Sequence, residues 1–186
     1  MTMTPAALSS PAVPTARATA RPRIEVIFST HFDFIWRSLR RFGLSEDRAD
    51  DAAQQVFMIA SRKIDSIAEG SERSFLFGTA MRVASDIRKS APVRREVVQE
   101  DLGVDLEGGA RPDELLEQRR AREMLDKVLD TMEIDLRAVF VLFELEEMST
   151  NEIASLLSIP HGTVASRLRR AREDFERVVR KMGGSR

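Results

Sequence analysis

The stretch MSTNEIASLLSIPHGTVASRLRRARE, residues 148–173, holds a helix start, a chain break and a run of arginines. Ser149 or Thr150 can cap a helix whose first turn carries Glu152. Ile153, Ala154, Leu156 and Leu157 supply its inner face. Pro160 cannot continue that helix, and Gly162 permits a sharp turn. A short helix, a tight turn and a longer basic helix make a helix-turn-helix. In the second helix Val164, Leu168, Ala171, Phe175 and Val178 recur at spacings of four and three, so they face a core. Thr163, Ser166, Arg167 and Arg170 are expected on the opposite side, with Arg169 at its edge. Hydroxyls and guanidinium groups near a helix N-terminus suit a DNA major groove, where Arg can bind guanine bidentately. His161, beside the turn, could touch phosphate. The plainer alternative is a wet helix face whose arginines pair with Glu173, Asp174 and Glu176.

Composition narrows the choices. The chain has 186 residues, 42% hydrophobic and 32% charged, with few aromatics, no Tyr and a single Trp, Trp36. Long Ala/Leu/Arg/Glu-rich stretches between sparse Gly and Pro predict an all-α protein. The lack of cysteine excludes disulfides, a thiolate nucleophile and zinc–cysteine sites, and suits a cytoplasmic location. A net charge of -1 means that nucleic-acid binding must rely on local patches. No apolar run nears the roughly 18 residues of a bilayer span, so no membrane insertion is expected. His31 and His161 are too few and too far apart for a metal site, and no nucleophilic triad, phosphate loop or paired catalytic carboxylate stands out. No enzyme activity, metal or cofactor is expected.

Four breaks organise the chain. Residues 1–23 contain no acid and are rich in Ala, Thr and Pro, which reads as a disordered tail or the composition of a transit peptide. Helices are expected at 24–42, at 46–64 after a Ser45 cap, and at 74–89. Their apolar stripes carry Ile35, Trp36 and Leu39, then Ala52, Val56 and Ala60, then Leu76, Ala80, Val83 and Ala84. A segment without sustained period follows, giving a linker over 92–114. The expected architecture is two small helical domains, 24–91 and 115–182, the second with helices near 115–130, 134–146, 149–157 and 161–182.

With these residues in view, NEIASLLSIPHGTVASRLRRAR resembles the region-four DNA-binding segment of bacterial extracytoplasmic-function (ECF) sigma factors of the sigma-70 family. ADDAAQQVF (49–57) and SFLFGTAMRVASDIRKS (74–90) resemble region two of the same group. The order and spacing of the two halves also match. Gln55 stands where the family usually has Glu, and Ala165 where it often has Lys.

The resemblance implies several roles. The region-two half would dock core RNA polymerase through Asp50, Asp51, Gln54 and Gln55. It would engage the minus-ten promoter element with the loop SIAEGSER (66–73) and with Arg82, Asp86, Arg88 and Lys89. Arg88, Lys89, Arg94 and Arg95 form a basic cluster suited to a single-stranded backbone. Phe75 and Phe77 are the only nearby aromatics, and their phase makes both core residues. The region-four half would read the minus-thirty-five element through His161, Thr163, Ser166, Arg167, Arg169 and Arg170. Acids in the linker (Glu100, Asp101, Asp105 and Glu107) would thread the polymerase cleft or simply sit on a solvated tether. An anti-sigma factor is the expected external control. Two rivals remain: a stand-alone helix-turn-helix regulator that binds an operator as a dimer, and a helical module whose arginines grip an acidic protein.

Overall fold

The computed structural model describes residues 16–90 and 112–183, in which every regular element is helical. The helices are α1 (Ala16–Arg41), α2 (Glu46–Arg62), α3 (Glu72–Ser90), α4 (Pro112–Asp130), α5 (Ile134–Phe140), α6 (Thr150–Leu157) and α7 (His161–Gly183). A short 3-10 turn at Ile64–Ser66 follows α2, and α5 runs on into a π-helical turn at Val141–Leu145. The expected linker falls largely on residues 91–111, and the tail on residues 1–15. Both stretches, with Arg94, Arg95 and the four linker acids, lie outside the described residues.

The boundaries differ from expectation in instructive places. α1 begins at Ala16, inside the segment read as a tail. Its Arg23 donates to the carbonyls of Ile64 and Ile67 and pairs with Glu72 at 2.7 Å, tying α1 to the loop before α3. A single arginine meeting partners more than forty residues away leaves no periodic signal. Ser45 is the N-cap of α2, but its side chain makes no capping bond.

α1, α2 and α3 pack as a bundle. Ala49, Ala52, Ala53 and Ala60 of α2 are fully buried and bring the helix backbones close. Phe77 is buried with its ring centroid 5.6 Å from Phe34 and 5.7 Å from Phe42, while Phe75 packs from the edge. Both phenylalanines therefore serve the core, as their phase requires.

The two halves touch through apolar side chains. One cluster runs from Ile35, Leu39 and Leu76 of the first half to Ala138, Val139, Leu142, Ile153 and Val164 of the second. The cause lies in α5, where every residue from Leu136 to Leu142 is buried, Arg137 included. A helix that is apolar all round needs cover on more than one side. Ala138, Val139 and Leu142 join the shared cluster, while Leu136, Phe140 and Val141 join Val128, Leu129 and Ala171 in a second one.

Arg137 fills the polar part of this seam. Its side chain is 1% exposed, donates to the Arg41 carbonyl and pairs with Asp130 at 2.8 Å. Burial pushes its guanidinium down to about 10, with the Asp130 charge opposing, so it stays cationic at neutral pH. Burial also pushes the nearby Asp126 carboxyl up, against the pull of Arg41 and Arg137. Gly43 sits at this point with φ +89, where a Cβ would come 2.7 Å from the Asp130 carboxylate and 3.3 Å from the Arg137 guanidinium.

Gly43→Ala should therefore lower stability by about 1–2 kcal/mol through backbone strain alone. Crowding at Asp130 should add to that. Thermal denaturation checks it, and an unchanged melting temperature would mean that the α1–α2 corner is not pressed against α4 and α5.

Candidate nucleic-acid interface

The helix-turn-helix is built from local chemistry. Ser149 caps α6 by accepting from the Glu152 N–H (3.3 Å), and the Glu152 carboxylate accepts from the Ser149 N–H (2.8 Å) and hydroxyl (2.7 Å). These bonds hold the Glu152 carboxyl below its ordinary range. The lowered value makes the box complete above the unfolded carboxylate range; it is lost as the pH falls through the folded one.

The turn corrects the sequence reading. Its left-handed residue is Ser158 (φ 54, ψ 43), and the Ile159 N–H closes the end of α6 on the Ala154 carbonyl at 3.1 Å. Gly162 lies inside α7, with nothing near where a Cβ would be. Glycine before a helix reads as a turn maker, but here Pro160 has already set the corner. Its carbonyl accepts from Thr163 (2.9 Å) and Val164 (3.2 Å). The Thr150 hydroxyl meets the His161 ring at 2.8 Å, bridging the starts of α6 and α7.

On α7, Val164, Leu168 and Ala171 are buried, and Phe175 and Val178 pack beside them, as the spacing predicts. Phe175 stacks on Phe140 with centroids 5.2 Å apart. The outer face needs one correction. Arg167 lies roughly 60° from the centre of the buried stripe at 3.6 residues per turn, not opposite it. It is half-buried and pairs with Asp135 of α5 at 2.7 Å. Thr163, Ser166 and Arg170 form the outward strip, with the Ser166 hydroxyl donating to the Thr163 carbonyl (3.0 Å). Arg170 is exposed and has no hydrogen bond or ion pair among the described residues. Arg169 pairs with Glu173 at 2.9 Å, and Arg172 with Glu144 at 2.7 Å. Neither Asp135 nor Thr150 could be found from periodicity, because each acts across a tertiary contact.

The other expected residues fall on two further surfaces. Asp50, Asp51, Gln54 and Gln55 are all exposed on α2, and Asp50 accepts from the Trp36 indole at 2.7 Å. Asp50 and Gln54 line an apolar groove with Phe28, Phe32, Phe57 and Met58, where Phe28 and Met58 are nearly half exposed. On α3, Arg82, Asp86 and Lys89 are exposed. Arg88 instead turns into the seam, donating to the carbonyls of Phe42 (3.4 Å) and Asp130 (3.1 Å). Phase along α3 could not reveal that, since both acceptors belong to other elements. His31 is half-buried, its imidazole pushed below the ordinary value by burial and then by Arg73. Among the described residues no three His, Asp or Glu side chains gather as a metal would require, and no helix is long and apolar enough to cross a membrane.

Comparison with known proteins bears on these surfaces. Residues 122–175 match the family model "Sigma-70, region 4". The chain is 30% identical over 161 residues to the ferric citrate uptake sigma factor FecI of Escherichia coli K12, covering 85% of this chain and 91% of that one. It is 30% identical over 139 residues to the ECF RNA polymerase sigma-E factor of the same strain, covering 69% of this chain and 72% of that one. It is also 25% identical to the ECF RNA polymerase sigma factor SigE of Mycolicibacterium smegmatis, over 87% of this chain and 63% of the longer relative. Among solved structures, CnrH in complex with the cytosolic domain of CnrY has a TM-score of 0.62 at 21% identity, covering 88% of this chain and 94% of that one. The sigma factor RpoE of Bartonella quintana, in complex with the anti-sigma factor NepR, has a TM-score of 0.53 at 23% identity, covering 82% and 96%. These two establish likeness of fold.

Two substitutions at the turn follow from the corrected geometry. Ser158→Gly relieves a left-handed residue, and Gly162→Ala fills open space in a helix, so each should stabilise the chain by about 0.5–1 kcal/mol. Loss of stability in both variants, measured by thermal melting, would contradict this turn. Ser149→Ala should cost about 1 kcal/mol at neutral pH. That difference should shrink in acid, as Glu152 becomes protonated.

Proposed function

The chain belongs to the extracytoplasmic-function sigma factors of the sigma-70 family, and from that membership we propose how its surfaces divide the work. A sigma factor directs core RNA polymerase to promoters. In our reading, residues 115–182 contact the minus-thirty-five element through Thr163, Ser166 and Arg170, with His161, Arg167 and Arg169 on the flanks. The observation that carries this is the outward strip of α7, where two hydroxyls stand beside an arginine with no internal partner. Arg170 is free to reach guanine or phosphate, whereas Arg167 must first leave Asp135.

Residues 24–91 would bind core polymerase and the minus-ten element. The exposed Asp50, Asp51, Gln54 and Gln55 next to the groove of Phe28, Phe57 and Met58 support a protein partner there, because acids beside exposed apolar side chains fit a mixed interface. Arg82, Asp86, Arg88 and Lys89 would meet the opened strand, and the chemistry of RNA synthesis would remain with the polymerase in the cytoplasm. An anti-sigma protein is a further proposed partner. Similarity to a sigma factor along 85% of the chain, through both halves, disfavours the stand-alone regulator.

Run-off transcription with purified core polymerase tests this reading, using the chain's own upstream region as template. Transcript that depends on the chain supports it; equal transcript without the chain refutes it. Arg170→Ala should leave the melting temperature unchanged. It should lower the salt dependence of promoter binding by about one phosphate contact, or lose about 1–3 kcal/mol if the contact is to guanine. Arg167→Ala should weaken DNA binding less than Arg170→Ala does. Met58→Glu should impair assembly with core polymerase while DNA contacts remain.

A further inference from the structure

We propose that Arg23 is a positioning residue for promoter reading: it clasps both ends of the loop over 66–73 and so sets which base that loop accepts. This rests on the reading that the loop meets the opened minus-ten strand. Arg23 lies in α1, ahead of every residue given a role above. Its guanidinium donates to the Ile64 carbonyl (3.1 Å), the Ile67 carbonyl (2.7 Å) and the Glu72 carboxylate (2.7 Å). Ile67 stands at the entrance of the loop, just after the 3-10 turn, and Glu72 at its exit, in the first turn of α3. One planar fork spans both.

Between these anchors the chain is open to solvent. Ala68, Glu69, Gly70 and Ser71 are all exposed. Their turn closes with the Ser71 N–H on the Ala68 carbonyl at 3.1 Å, and Gly70 takes the left-handed third position at φ +81. The two sides of the loop are held unequally. At the entrance the side chains of Ile64 and Ile67 are buried in the core. At the exit Ser71 and Arg73 are exposed, and Glu72 between them is held by its pair with Arg23. That hydrogen bond is the largest influence keeping the Glu72 carboxyl below its ordinary range. Arg23 therefore joins the loose side of the loop to the anchored side. An unstacked base is read by the shape of the pocket that receives it, and a pocket discriminates only when its walls stay in place. The clasp supplies that constraint to the exposed turn from a different helix.

Arg23→Met keeps an apolar stem and removes the donors, while Arg23→Lys keeps the charge and loses the planar fork. Two readouts separate the clasp from general stability. The first is hydrogen exchange on the free full-length chain. The Ile67 and Ser71 amides, each bonded within the loop or its entrance, should exchange about tenfold faster in Arg23→Met, as expected for lost bonds to a charged donor. Amides of α2 such as Val56 should not change. The second is run-off transcription with core polymerase, on templates in which each base pair opened by the wild-type chain is replaced in turn. Wild type should lose about tenfold of transcript at one replaced position or more, and Arg23→Met only about threefold there, with Arg23→Lys between. Equal penalties in all three chains, or unchanged exchange at Ile67 and Ser71, would overturn the proposal. A uniform loss of transcript on every template would overturn it too, because a merely structural arginine gives that result. If the wild-type chain supports no transcript at all, the promoter reading itself fails and the proposal goes with it.

Discussion

The fold depends on covering one helix. α5 is apolar on every side except at Asp135 and Arg137, and a helix of that kind is stable only when protein surrounds it. One side takes α4 and α7, and the other takes the bundle of α1, α2 and α3. Arg137 reaches across the remaining gap to the Arg41 carbonyl and Asp130. A buried guanidinium is costly without such partners, so this residue fixes where the two halves meet. The same corner requires Gly43, since any side chain there would strike Asp130.

Function follows from what this packing leaves outside. α7 is held by Val164, Leu168 and Ala171, which turns Thr163, Ser166 and Arg170 toward solvent at the start of the helix. α2 is held by its alanines, which leaves its acids and glutamines on the surface beside an apolar groove. α3, by contrast, has its two ends engaged by the second half. One chain therefore carries a strip of hydroxyls and an arginine on α7, an acid-lined apolar groove beside α2, and an α3 whose two ends touch the second half.

Much of this was legible in the sequence. The helices, the capping box at Ser149, the buried stripe of α7 and the core role of Phe77 all follow from spacing and cap chemistry. The family resemblance rested on the same residues that the structure brings together in α6 and α7. What escaped was tertiary. Arg167 looked outward until Asp135 supplied a partner, and Arg88 looked like a free basic residue until it met Asp130 and Phe42. Ser158 took the left-handed position that glycine chemistry pointed to at Gly162. The run from Leu136 to Leu142, apolar but for Arg137, was the available signal that the halves share a core, because a helix facing one small domain needs only one greasy side.

In the function proposed above, a single copy of this chain, carried by core polymerase, touches two separated stretches of promoter DNA. Footprinting of the ternary complex on the chain's upstream region tests it most directly. Two protected patches are expected, with centres about 25 base pairs apart, about two and a half helical turns, and only when polymerase is present. A single two-fold symmetric patch, protected by the chain alone, would contradict it.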